Sequence, residues 1–131
     1  MEITGLVTMP SASDFGTTLE KFSSTLKTKG LAEFGRINYR SKAETSEKPF
    51  VLVLFGNAAA VKRVISKHPA VGVDLPMRAM FWEDQNGQVF VAFNDPAWVL
   101  ARHGISGDVA EKLSELVRSV AVEATGFRKP N

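Results

Sequence analysis

Phe50-Val51-Leu52-Val53-Leu54-Phe55 is an unbroken run of six apolar residues. A strand with one wet face alternates apolar and polar side chains, so this run reads as a central strand buried on both faces. Both sides of the sheet therefore need cover, and the flanking sequence indicates how much the chain itself supplies.

Upstream, Pro49 closes a polar stretch, Ser41 to Lys48, that reads as a surface loop. Before it, Leu31 to Arg40 reads as a second strand, with Gly35, Ile37 and Tyr39 alternating against Arg36, Asn38 and Arg40, the latter set wet. Phe15, Leu19, Phe22 and Leu26 recur at helical spacing, with Ser11 or Ser13 as cap and Gly30 at the end. Ile3 to Met9 reads as an opening strand stopped by Pro10.

Downstream, Asn57 caps a short helix through Ala60, Val61, Val64 and Ile65 that ends before Pro69. Val71 to Pro76 leads back into the sheet. Arg78 to Asp84 and Gln88 to Asn94 flank Asn86-Gly87, a strong signal for a two-residue hairpin turn. Such a turn sets Trp82 opposite Val91, Met80 opposite Phe93, Phe81 opposite Ala92 and Glu83 opposite Phe90. Asp95-Pro96 caps and starts a helix through Trp98 and Leu100 that stops at Gly104. Ser106 or Gly107 opens the last helix, whose stripe is Val109, Leu113, Leu116, Val117 and Val120, ending at Gly126.

The order β-α-β-β-α-β-β-α-α describes a single two-layer α+β domain over residues 1–126, with residues 127–131 a frayed tail. Its sheet is expected to be five-stranded and mostly antiparallel, with the two long helices on one face. The hairpin's second apolar face then needs another cover, and a second copy of the chain is the simplest one.

Composition narrows the function classes. The chain has 131 residues, 44% hydrophobic and 23% charged, with no cysteine, which excludes disulfide scaffolds and cysteine-ligated metal centres. A net charge of +2 is too small to make nucleic acid the expected partner. Lys62, Arg63 and Lys67 with Arg36 and Arg40 lack interleaved aromatics and read as a solvated face. The first ten residues lack the charged start and apolar run of a signal peptide, and six apolar residues are far short of a membrane span, so a cytoplasmic location is expected.

No dinucleotide fingerprint, phosphate loop, nucleophile elbow or zinc-protease motif occurs, so no cofactor is named and catalysis stays open. His68 and His103 are 35 positions apart, which leaves them without metal-pair spacing. If the strand ending at Phe55 and the one starting at Met77 are antiparallel, Asn57, Asp74 and Asn94-Asp95 converge on one end of the sheet, with Arg102 and His103 at the far end of the helix that follows, roughly 10 Å away by helical rise. Asn57, Asp74, Asn94 and His103 are thus candidate contacts for a small polar ligand, although Asn57 and Asp95 are also good helix caps. Asp74 and His103 as acid and base of an enzyme, or an adaptor dimer recruiting another protein, are the competing readings.

Phe55-Gly56-Asn57, Asp74-Leu75-Pro76, Trp82-Glu83-Asp84 with Gly87, Asn94-Asp95-Pro96 and Arg102-His103-Gly104 stand together in this order. The set resembles the bacterial and archaeal family catalogued as domain of unknown function 302, from the first helix to about Ile105. The resemblance implies a compact homodimeric α+β fold and no established activity. Tyr39 stands where the family commonly has a histidine, and Ala58 where it has a proline.

Overall fold

A computed structural model describes residues 2–40 and 48–128. Its elements are β1 (Leu6–Pro10), α1 (Phe15–Thr28), β2 (Ala32–Asn38), β3 (Phe50–Gly56), α2 (Ala58–Lys67), a 3-10 turn (Pro69–Val73), β4 (Met77–Glu83), β5 (Val89–Asn94), α3 (Pro96–Arg102) and α4 (Asp108–Thr125). The five strands form one sheet in the order β1-β5-β4-β3-β2, every neighbouring pair antiparallel. The α+β class and the element order are those expected from the sequence; the loop expected at Ser41 to Lys48 falls largely outside the described residues.

The apolar run supplies β3 at the sheet's interior. Val51, Val53 and Phe55 are buried with Ala79, Phe81, Val91 and Phe93 of neighbouring strands, and α1 and α4 cover this face through Phe22, Leu26, Val117, Val120 and Ala121. Phe22 lies edge-on to both Phe55 and Phe81, at ring-centroid distances of 5.3 and 5.0 Å. The opposite face carries Phe50, Leu52, Leu54, Met80, Trp82 and Phe90, all half-buried, with Trp82 stacked on Phe90. Ile37 and Tyr39 extend it at the β2 edge and are 42% and 56% exposed. Both faces of β2 are therefore wet, because this side of the sheet has little cover within the chain.

Local chemistry moves several boundaries. Asp14, rather than Ser11 or Ser13, caps α1 by accepting the Thr17 N–H at 2.7 Å, while the Ser11 and Thr18 hydroxyls bond each other at 2.6 Å. At the far end Gly30 takes φ +76°, and the N–H groups of Gly30 and Leu31 return to the carbonyls of Lys27 and Leu26. β1 begins only at Leu6 because Ile3 to Leu6 form a turn through Gly5, whose φ is +78°. The Trp98 ring lies against Gly5 so closely that a Cβ there would overlap it.

The hairpin register differs by one residue from the expected one. Trp82 faces Phe90, Phe81 faces Val91, Met80 faces Ala92 and Glu83 faces Val89. Asp84 causes the shift: its carboxylate accepts the N–H groups of Asn86 and Gln88, and its own N–H donates to the Gln88 carbonyl. The loop is thereby three residues long, with Gly87 alone at positive φ and Asn86 spared that conformation. A one-residue slip exchanges faces, so this register is what sends Phe81 and Val91 together into the core.

In α4 the first stripe residue, Val109, is 82% exposed; the core is filled instead by Val117, Val120, Ala121 and Ala124. Phe127, expected in the frayed tail, packs against the core.

Candidate functional site

The Asn57 end of the sheet is built by three chain reversals. At Gly56, φ +158°, the chain leaves β3, and Asn57 caps α2 by accepting the Ala60 N–H at 3.0 Å. After α2, the 3-10 turn ends on Asp74, and a cis Leu75-Pro76 peptide leads into β4. Asp95 caps α3, accepting from the Ala97 N–H at 3.3 Å and from the Ser114 hydroxyl of α4.

These reversals bring Asp74 to the C-terminal end of α3. The Asp74 carboxylate accepts from His103 Nε2–H at 2.5 Å and from Arg102 Nη1–H at 2.7 Å. An ionised carboxylate only accepts, so Nε2–H is the donor in this contact. The side chains of Asp74 and His103 are only 20% and 17% exposed, whereas Arg102 is mostly in solvent. The His103 hydrogen bond is the largest influence on the Asp74 carboxyl; burial pushes it up, and the charges of Arg102 and His103 add to the hydrogen bond, so that it lies below its ordinary range.

Of the four ligand contacts expected from the sequence, Asp74 and His103 meet directly. Asn57 is exposed and serves as a helix cap. Asn94 ends β5, two residues beyond Ala92 on the outward face of the sheet, and is exposed. Both Asp74 contacts fall on Oδ2, one from Arg102 at the end of α3 and one from the residue that follows it. Among the described residues, no group of three or more His, Asp or Glu stands close enough to hold a metal ion, and no helix is long and apolar enough to cross a membrane.

Residue spacing alone did not point to the cavity beside this cluster. About 290 Å³ lies between α2, α4 and the end of the sheet. Its floor includes Phe55 and Val117, both fully buried, and its walls include Val64, Leu75, Leu100 and Leu113. Leu75 directly follows Asp74 and Leu100 lies three residues before His103, so the ionic cluster clasps two wall elements together. Asn57 and Lys112 are the polar side chains of the lining, which is otherwise apolar. Val109, which opens the apolar stripe of α4, lines the cavity and is exposed.

Residues 7–120 match the model of the family described as "Domain of unknown function DUF302". The fluoride-specific ion channel FluC 1 of Brucella suis biovar 1 (strain 1330) is 36% identical over 113 residues, covering 82% of this chain and 44% of its own length. FluC 1 of Brucella abortus biovar 1 (strain 9-941) is likewise 36% identical over 82% of this chain and 42% of its own. The chain thus spans less than half the length of the curated relatives it matches. An uncharacterized conserved DUF302 protein from Bacillus stearothermophilus, known from a crystal structure, has a TM-score of 0.66 at 16% identity over 95% of both chains, which shows a shared fold.

Proposed function

This chain belongs to the DUF302 family, and from that premise and its cavity we propose that it is a small-ligand-binding domain working as a homodimer. The cavity carries the reading. A preformed apolar concavity near 300 Å³ is at the small end of those that take small molecules. Its lining favours a ligand with an apolar body over the small polar ligand suggested by residue types. Asn57 would meet the ligand, Asp74 and His103 would brace the wall, and Asn94 would lie outside.

The homodimer is supported by the outward sheet face. Phe50, Leu52, Leu54, Met80, Trp82 and Phe90 form a contiguous half-buried apolar surface, and an isologous contact with a second copy would cover both at once. The relatives named as fluoride channels extend well beyond the matched segment. Fluoride accordingly joins the probes below.

The direct Asp74–His103 contact favours one second reading, an acid–base pair acting on a small polar substrate. Under that reading Asp74→Asn would remove binding, whereas blocking the cavity would not.

The test is a thermal-shift series on the purified chain with octanol, octanoate and sodium fluoride, on wild type and Ala60→Trp. Ala60 is half-buried on α2 and lines the cavity, so the indole would fill it. A ligand at 100 times its Kd stabilises by about 2.7 kcal/mol. The reading predicts a rise with octanol or octanoate that Ala60→Trp removes. No rise with either, or an equal rise in the variant, would overturn it.

A further inference from the structure

We infer that the cavity selects amphipathic monocarboxylates, with Lys112 as the head-group partner; this rests on the proposed reading of the cavity as a ligand site.

The cavity is chemically asymmetric. Its floor and walls are aliphatic or aromatic carbon, while Asn57 and Lys112, the two polar residues of the lining, are both exposed. A ligand matching this layout is apolar along its body and polar at one end. Lys112 is the charged residue of the lining and fixes the sign at that end as negative.

Neither polar residue is fully used by the fold. Among the described residues, Lys112 makes no hydrogen bond or ion pair, although Asp108 and Glu115 stand one turn away on either side of it in α4. Asn57 spends its carbonyl oxygen on the Ala60 N–H, which leaves its amide N–H groups as donors. A carboxylate has two acceptor oxygens and suits an ammonium on one side and an amide on the other. Asn57 also begins α2, where the helix dipole favours negative charge.

The cavity volume sets the tail. An engineered cavity of about 150 Å³ takes one benzene, so 290 Å³ suits a short alkyl chain or a substituted aromatic ring. Its occupant on this account is a free monocarboxylate of that size. An acyl chain much longer would have to extend past Val109 into solvent.

Octanoate and octanol separate the head group from the tail. They share a chain and differ in charge, so isothermal titration of both into the full chain, wild type and Lys112→Glu, reads the head-group preference directly. Lys112 is exposed on α4, so the substitution leaves the core untouched. Wild type is expected to bind octanoate about fivefold more tightly than octanol, the size of an exposed charge pair. Lys112→Glu is expected to abolish that preference. Equal binding of the two by wild type, or an unaltered preference in Lys112→Glu, would overturn the carboxylate assignment while the ligand site stands. Binding of neither would overturn both.

Discussion

His103 Nε2–H reaches the Asp74 carboxylate across 2.5 Å and ties the end of α3 to the turn that enters β4. Twenty-nine residues separate the two in sequence, and the bond closes over the small apolar cluster of Val71, Leu100 and Ala110. Asp74→Ala leaves His103 half-satisfied and Arg102 without this partner. We expect a loss of about 1–2 kcal/mol, in keeping with a mostly buried hydrogen bond to a charged group. The double variant with His103→Ala should cost less than the sum of the singles by at least about 0.5 kcal/mol, measured by urea denaturation.

The same contact predicts a pH dependence. Because the folded state holds Asp74 below its ordinary value of 3.8, the native chain binds fewer protons than the unfolded chain in acid. Its stabilisation is therefore complete above the unfolded value and is lost as pH falls through the lower, folded one. Asp14 adds to this through the Thr17 N–H, and so does Glu33, where burial pushes upward but hydrogen bonds from Arg36 and Ser23 and the charges of Arg36 and Lys27 together outweigh it. Urea midpoints between pH 6 and roughly pH 2 should fall less steeply for Asp74→Asn than for wild type.

Gly5 is constrained twice, by its positive φ and by the Trp98 ring. Gly5→Ala should destabilise by about 1–3 kcal/mol, through backbone strain and displacement of the indole. Trp98→Ala in the same background should recover part of that loss, which a thermal melt of the two variants will measure.

Phe22 is the keystone between α1 and the sheet, fully buried and edge-on to two aromatic rings. Phe22→Ala should cost about 3–5 kcal/mol by chemical denaturation, since a cavity is left beside two aromatic partners that cannot both collapse into it.

The outward sheet face predicts an assembly state. If a second copy covers it, Trp82→Lys should shift sedimentation from dimer to monomer with the fold retained, because the charge would be buried only in the dimer. Two variants on the covered face's far side, Ser23→Lys and Lys27→Glu, should leave the sedimentation coefficient unchanged.

Element identity was legible where one local signal dominated. Asn57 capping α2, Asp95-Pro96 starting α3 and Gly126 ending α4 all follow from backbone preferences of single residues. The hairpin register was not legible, because the Asp84 carboxylate outcompetes the Asn86-Gly87 turn preference by satisfying two loop amides. Nor was the site's polarity. The sequence puts Asp74 at the converging end of the sheet and His103 at the far end of the following helix, yet each is engaged by the other, and the open space next to them is lined by residues whose spacing reads as ordinary core. A cavity is a mismatch between packed elements, here α2 against α4, and periodicity within either helix carries no record of it.

Amide NMR correlation spectra of the chain titrated with octanol read occupancy of the cavity between α2 and α4 without intermediaries. A ligand site there predicts saturable shifts confined to residues around Asn57–Val64 and Val109–Val117, with Leu31 and Leu75 following. Shifts centred on Trp82 and Phe90 of the outward sheet face, or none at saturating octanol, would contradict it.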